Sequence, residues 1–591
     1  MKKEILSIMF VAGAVAASAQ SAFPQHKYTV VGANITAGAN MAAVGDADGQ
    51  AVFEIAKRDI VPFTQQCVNQ GKPAPVTNAG NTPYYNVRMA LPVPSCYTPT
   101  EQGEKVGLDW GVYTHLHSAG MEVLPNGDIL AVYFSTPTGK AEADTCTTFV
   151  QCRRRYGCDE WDMPELLFTT YGGNDQSALL LTDKDTLWFF GGGRGMTDYV
   201  PFRIMKSTDN GATWTFSVPQ MDKKLEQYTA QPVSNAFKNK KGELFVVLDG
   251  KGAQSFLLSS QDGGVTWHDM GGRTDSRHST IVMLDDNGTL LSAGGKNNSI
   301  NGWNPQNISH DWGATWSKGT PSPFPPAGTA QRPCIIRLQS GALCIVGDSY
   351  MHKKKIAPPK GWKNGNECFV AISRDNGKTW KFKTLPITLP QHHRVTHPSL
   401  GYVTMRQGHD GLIHVLTTTN YPGLEIEFNE AWIDSDIVTA KDAEGSVYGK
   451  QSALTPLAKS GYYVLNGKKS YTYPNGQKQY EVTYKDGKKV GTETLWREDG
   501  TKVWEWVRKD DNTARWSHYR PNGMVRLISR WDLLPEPRDL VGVRLTGAVA
   551  NMYTWEYDKV GMQVEAYRFN DGVLDGSNKQ GINSAILNEG K

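Results

Sequence analysis

The chain has 591 residues, of which 39% are hydrophobic and 20% charged, and its net charge is +3. That balance describes an ordinary soluble globular protein; it excludes a disordered chain and gives no reason to invoke nucleic acid or an anionic membrane. Seventeen Trp and twenty-four Tyr are many, and flat aromatics suit sugar rings, although filling space between packed sheets is their commoner use.

Lys2 and Lys3, the apolar run Ile5 to Ala16 and the small residues Ala17-Ser18-Ala19 have the layout of a secretory signal over 1–19, cut after Ala19. No Cys stands just after the run, which argues against a lipid anchor. No later stretch is apolar for long enough to span a bilayer. The expected location is periplasmic or secreted. Of eight Cys, Cys67 and Cys96 flank a Pro-rich segment and could close one loop, while Cys146, Cys152 and Cys158 crowd another. Cys334 and Cys344 fall in two strands of one hairpin, as a bridge or as buried thiols. Zinc fits the triplet poorly, because no paired C-x-x-C and no nearby His accompany it.

Residues 20–109 hold candidate strands such as Tyr28 to Val31 and Val87 to Leu91, and are expected to help close the fold. From 110 to 459 a regular cycle runs. Six apolar hairpins, each with a polar turn, cover His117 to Ser135, Gln176 to Gly193, Gln231 to Gly250, His278 to Gly295, Arg332 to Asp348 and His397 to Thr418. Between them one eight-residue phrase is written four times: Ser207 to Trp214, Ser260 to Trp267, Ser309 to Trp316 and Ser373 to Trp380. Ser, Asp, Gly and Thr-Trp keep the same offsets in every copy. The Asp suits a tight turn, Gly accepts positive φ, and Trp supplies a plug between sheets. The copies are spaced by 53, 49 and 64 residues, which predicts blades of a β-propeller. The phrase resembles the Asp-box of the sialidase superfamily, where it is a surface staple away from the active face.

Residues 460–532 change rhythm. Asn466-Gly467, Asn475-Gly476, Asp486-Gly487, Asp499-Gly500 and Asn522-Gly523 punctuate short aromatic strands, as hairpin turns do. This stretch resembles MORN-type repeats and predicts an added β-meander, with Trp496, Trp504, Trp506 and Trp516 serving as packing or as sugar contacts. Residues 533–591, with strands near Val541 to Leu545 and Met562 to Phe569, are expected to close the ring. The fold class expected is all-β: a seven-bladed propeller with a meander.

Aligning the starts of the hairpins exposes a second repeat: His117, Gln176, Gln231, His278, Arg332 and His397, each followed by Ser or Pro. Their intervals are 59, 55, 47, 54 and 65 residues, and Gln451-Ser452-Ala453, another 54 onward, would mark a seventh blade. Equivalent positions on innermost strands point at one channel mouth, so these side chains are predicted to ring a pocket. The plainer alternative is that each bonds its own strand or a neighbouring blade. Arg277, Gln331, His392, His393, Arg394 and Tyr421 are candidates for its wall, and His115 would face the same way as His117.

No ring position is Asp or Glu, whereas glycosidases normally need two carboxylates. The superfamily's F/Y-R-I-P motif has only Phe202-Arg203-Ile204-Met205 to match it here. A β-elimination on a uronic acid asks for other parts: a cation to neutralise the carboxylate, a neutral base for the C5 proton, and a donor for the departing O4. Arg332 suits the clamp; His117, His278 and His397 compete as base and acid.

The stretches Gln331-Arg332-Pro333-Cys334-Ile335-Ile336-Arg337-Leu338, Gln391 to Tyr402 and Asn429-Glu430-Ala431-Trp432-Ile433 resemble a group of gut-bacterial propellers, polysaccharide lyase family 27 and glycoside hydrolase family 145. The resemblance covers about His115 to Asp436. It implies seven blades and an exo-acting lyase that eliminates across L-rhamnose-α-1,4-D-glucuronate caps of plant arabinogalactan, with gum arabic as a natural partner glycan. An α-L-rhamnosidase or other sialidase-like exo-glycosidase, and a non-catalytic glycan-binding propeller, are the alternatives. No cofactor is expected, and structural calcium is compatible with loop carbonyls and scattered Asp.

Overall fold

The computed structural model describes residues 29–31, 41–45, 51–60, 67–76, 79–90, 117–136, 147–171, 174–194, 196–217, 219–328, 331–348, 368–387, 399–418, 423–436, 461–540, 543–557 and 560–574. The signal segment 1–19, Cys96, Cys146 and Gln451-Ser452-Ala453 lie outside the described residues.

Each apolar hairpin of the sequence forms the inner half of an antiparallel sheet. In the first blade His117–Val123 pairs with Ile129–Ser135, followed outward by Thr148–Arg154 and Glu165–Tyr171. The second runs Asn174–Asp183, Thr186–Arg194, Arg203–Ser207 and Trp214–Ser217, and the third Tyr228–Lys238, Leu244–Gly250, Ser255–Ser260 and Thr266–Asp269. The fourth uses Ile281–Met283, Leu290–Ser292, Pro305–Ser309 and Thr320–Pro321; the fifth uses Cys334–Arg337, Leu343–Asp348, Cys368–Ser373 and Lys381–Thr384. Cys334 and Cys344 are buried free thiols.

The expected count of seven blades is not met. Five sheets stand alone as blades. Thr404–Gln407, Ile413–Leu416 and Leu424–Phe428 form a further blade-like unit whose fourth strand is the remote Tyr85–Met89, and this unit continues into the meander as one sheet. The innermost strands neighbour one another in chain order, and Thr404–Gln407 returns to His117–Val123. There the Thr404 hydroxyl donates to Ala119 O at 2.7 Å and Arg406 pairs with Glu122. With those two strands already in contact, a further blade has no gap to enter among the described residues. The other early strands lie outside the ring: Thr29–Val31 extends the first blade, and Met41–Gly45 with Ala51–Ile60 extends the second.

The repeated phrase forms the outer turn of the second to fifth blades. In its first copy Gly211 N donates to Ser207 Oγ at 2.8 Å and Thr213 N to Asp209 Oδ1 at 2.9 Å, and the other copies repeat both kinds of bond. Asn210 and Gly211 both have positive φ, as a hairpin turn of this tightness demands. Each box leans on the preceding blade. Trp214 and Trp267 are buried against residues of the first and second blades respectively, and Trp316 and Trp380 pack into the next two clefts.

The meander runs from Gly467–Thr472 through Lys478–Lys485, Lys488–Trp496, Lys502–Arg508 and Thr513–Tyr519 without a break into Val525–Leu540, Val543–Tyr557 and Gln563–Asn570. Trp504, Trp506 and Trp516 are buried in its core, so packing, not sugar contact, is their role. The sheet grips the propeller through buried charge: Lys489 Nζ lies 2.7 Å from Asp162 and 3.0 Å from Glu493, and Arg508 lies 2.7 Å from Glu493.

Candidate functional site

The inner strands begin in unusual backbone. Ser118, Ser177, Ser234 and His278 all have positive φ, and the first three blades carry register shifts in their inner hairpins. Left-handed non-Gly residues and bulges cost energy and re-aim side chains, and they concentrate where a scaffold serves a site. The small residues here also stitch blades together: Ser177 Oγ donates to Pro232 O at 2.6 Å and Ser234 Oγ to His278 O at 3.2 Å.

The predicted ring residues that can be placed do not all converge. His117, His278 and Arg332 meet around Tyr402, the residue at the start of the last inner strand. The His117 ring lies 4.5 Å from the Tyr402 ring and the His278 ring 5.1 Å, while the Arg332 guanidinium sits 5.1 Å over its face. Lys296 completes the group: its Nζ donates to the Tyr402 hydroxyl oxygen and lies 4.2 Å from the ring centre. All five residues are buried, with none more than 8% exposed. Backbone fixes the Tyr402 position, since Arg332 N donates to Gly401 O at 3.0 Å and Val403 N to Arg332 O at 3.1 Å. Lys296 is held by reciprocal backbone bonds to Arg277. The chain approaches there because residue 295 is Gly: a Cβ would lie 2.2 Å from Arg277 O.

Gln231 and Arg277 belong to the same centre through Asp249. Arg277 Nε donates to Asp249 Oδ2 at 2.5 Å, and Arg277 Nη2 donates to Gln231 Oε1 at 3.1 Å. His278 Nε2 faces two acceptors, Gln231 Oε1 at 3.2 Å and Asp249 Oδ2 at 3.3 Å. The proton therefore sits on Nε2, and the lone pair of Nδ1, buried and without a hydrogen-bond partner among the described residues, is left as an acceptor. Burial, with Lys296 and Arg332 nearby, pushes the His278 imidazolium down to about 3 against the pull of Asp249. His278 is thus neutral near pH 7. Burial alone would raise the Asp249 carboxyl, but His278 and Arg277 outweigh it and hold it at about 2. With His278 uncharged at neutral pH, Arg277 is the cation that keeps Asp249 ionised there.

Arg332 is equally subject to desolvation, which lowers it to about 10, and its Nε and Nη1 are buried without acceptors among the described residues. Gln331 turns elsewhere, to Asp348, whose other oxygen accepts from Ser399 Oγ and Leu400 N at 2.8 Å each. Gln176 lies opposite Gly192 at the start of the second blade. His115, His392, His393, Arg394, His397 and Tyr421 lie outside the described residues. Tyr402 and Lys296 were not among the residues singled out from the sequence. An open cleft of about 570 Å³ is lined by Gly193, Lys224, Tyr228, Ala230 and Lys251, and no member of the Tyr402 group lines it. Arg203, the middle of the partial F/Y-R-I-P match, is a buried strand residue that donates to Gly192 O at 3.0 Å.

His414, Glu425 and Glu427 are a group of side chains that could hold a metal. Arg154 Nη2, however, lies 3.1 Å from His414 Nδ1, 3.1 Å from Glu425 and 2.8 Å from Glu427. A guanidinium fills the position a cation would take, so this group is an ion-pair core. No helix among the described residues is long and apolar enough to cross a membrane.

The fold is an all-β propeller whose outer turns carry the repeated Asp-box phrase. Residues 127–415 match the family model described as a BNR repeat-like domain, somewhat under half of the chain. No curated protein matches. Among solved structures, a Dyadobacter fermentans protein of unknown function is similar at 18% identity and a TM-score of 0.41, over 58% of this chain and 98% of that one. The sialidase of Trypanosoma rangeli is similar at 11% identity and a TM-score of 0.40, over 84% of this chain and 91% of that one. A mutant of the NanB sialidase of Streptococcus pneumoniae gives 9% identity and a TM-score of 0.38, over 53% of this chain and 68% of that one.

Proposed function

We propose that the protein is a carbohydrate-active enzyme, an exo-acting lyase that eliminates across the L-rhamnose-α-1,4-D-glucuronate caps of arabinogalactan. The observation that carries the reading is a buried guanidinium with unmet donors, Arg332, set beside a neutral imidazole and a tyrosine. Arg332 binds the uronate carboxylate and so acidifies the C5 proton. His278, with its Nε2–H anchored by Asp249 and Gln231, takes that proton on Nδ1. Tyr402 accepts from Lys296 and so keeps its own O–H to give to O4 as the rhamnose leaves. In a glucuronate the C5 proton and O4 share a face, so base and acid can work from one side of the ring. His117, packed on the Tyr402 ring, positions it. Asp249, beside His278, and Asp348, bonded to Gln331, are both tied up by protein donors, which disfavours a two-carboxylate hydrolysis.

Ultraviolet absorbance during digestion of gum arabic tests the proposal. A lyase generates a conjugated unsaturated uronate; a rhamnosidase releases rhamnose without it; a binding protein does neither. Arg332→Ala is expected to abolish turnover on the uronate substrate, and activity retained in that variant would remove the carboxylate clamp from the mechanism.

A further inference from the structure

A second cleft lies toward the other end of the first blade's inner strand. The seven-residue strand His117–Val123 runs from the Tyr402 centre to the turn containing Asn126 and Asp128, roughly 20 Å at the rise of an extended chain. Beyond that turn, where the meander meets the first blade and residues 69–74, is a cleft of about 360 Å³. Its walls hold Tyr156, Tyr463, Tyr471 and Tyr484. A volume of this order is within the range of small-ligand sites.

The aromatic wall is built rather than incidental. Tyr156 and Tyr463 stack with ring centres 5.2 Å apart and planes within 12°. Tyr156 is pinned at both ends: its backbone N donates to Asp128 at 2.8 Å and its hydroxyl to Ala74 O at 2.9 Å. Two positive-φ glycines lie beneath the pair, and a Cβ on Gly127 or Gly157 would come within 2.7 Å of Tyr156 or Tyr463. Arg155 lies 4.9 Å from the Tyr480 ring and 5.9 Å from that of Tyr471, and its Nε bonds Asp162 at 3.1 Å, so the floor is fixed as well.

The polar groups indicate the ligand. The Tyr484 hydroxyl, on a residue 2% exposed, has no hydrogen-bond partner among the described residues. At the mouth Lys72 and Lys469 are exposed and in no ion pair among the described residues. Flat half-buried rings, a spare hydroxyl and two free ammonium groups together suit a sugar chain that bears carboxylates.

From this juxtaposition we infer that the cleft between meander and propeller is a non-catalytic binding site for an acidic oligosaccharide, holding a polymer while the Tyr402 centre works on its chain ends. The second half of that statement rests on the lyase reading; the binding itself does not. The test is affinity electrophoresis of the full chain in native gels containing gum arabic, in the Arg332→Ala background so that the central site contributes little. That parent should be retarded. Adding Tyr463→Ala should weaken apparent binding roughly tenfold, the scale of one lost aromatic contact. Adding the surface pair Lys72→Glu and Lys469→Glu, which leaves the core untouched, should do the same. In the wild-type background both sets should leave turnover of a short aldobiouronate unchanged. A parent that is not retarded, variants retarded as strongly as the parent, or equal retardation by a neutral arabinan would each overturn the inference. Absence of any unsaturated product from the wild-type protein would instead sink the lyase reading and leave the retardation result standing.

Discussion

Tyr402 takes neighbours from three other blades, His117 from the first, His278 and Lys296 from the fourth, and Arg332 from the fifth. Tyr402→Phe keeps the ring that fills this space and deletes only the oxygen. Turnover should therefore fall by about 10²–10⁴, while the loss of an acceptor for the buried Lys296 ammonium should cost about 1–3 kcal/mol in urea unfolding. His278 makes a separate prediction about pH. Its folded-state value, about 3, lies below that of an unfolded His, about 6.5. Its contribution to stability is complete above the unfolded value and is lost as pH falls toward 3. Unfolding midpoints measured from pH 7 to 4 should fall less steeply in His278→Gln than in the parent. His117, His278 and Arg332 were legible because they occupy one register of a repeat. Tyr402 and Lys296 were not. Tyr402 stands five residues past the aligned position, and Lys296 stands at the far end of its hairpin, delivered by a close backbone approach at Gly295 that leaves no periodic trace.

The Asp-boxes were the most legible elements, because their hydrogen bonds are local and the same residue types repeat at the same offsets. What the sequence did not disclose is that the Gly of each box also meets the blade before it. A Cβ at Gly313 would lie 2.7 Å from Leu257 Cδ1, and its φ is +89°. Gly313→Ala should cost about 2 kcal/mol in chemical denaturation, whereas Gly341→Ala, at a similar φ with nothing near, should cost only the smaller conformational share. Equal losses would show that the blade contact adds nothing. Blade number was misjudged for a related reason. Counting starts of hairpins reveals inner strands, but whether two inner strands touch depends on pairs such as Thr404 with Ala119, which lie 285 residues apart.

At the scale of the whole molecule the meander is bound to the propeller by charge as well as by apolar contact. Lys489, 3% exposed at its side chain, is held between Asp162 of the propeller side and Glu493 of the meander, and those carboxylates overcome burial and raise it. Lys489→Met removes one of two cations from each carboxylate, leaving Asp162 to Arg155 and Glu493 to Arg508, and should cost about 1–3 kcal/mol by calorimetry or denaturant. A loss under about 1 kcal/mol would mean that Arg508 and the solvent take over its part.

Tyr85–Met89 lies between Leu424–Phe428 and Val543–Tyr557, and Tyr84 Oη reaches Glu427 across 343 residues of chain. A buckle of this kind cannot be fastened as the polypeptide emerges: its first half must wait, unpartnered, until most of the blades have been made. Maturation should accordingly finish in one late step, and a shortened protein that starts after residue 90 would present the bare flank of Leu424–Phe428 to any strand that passes.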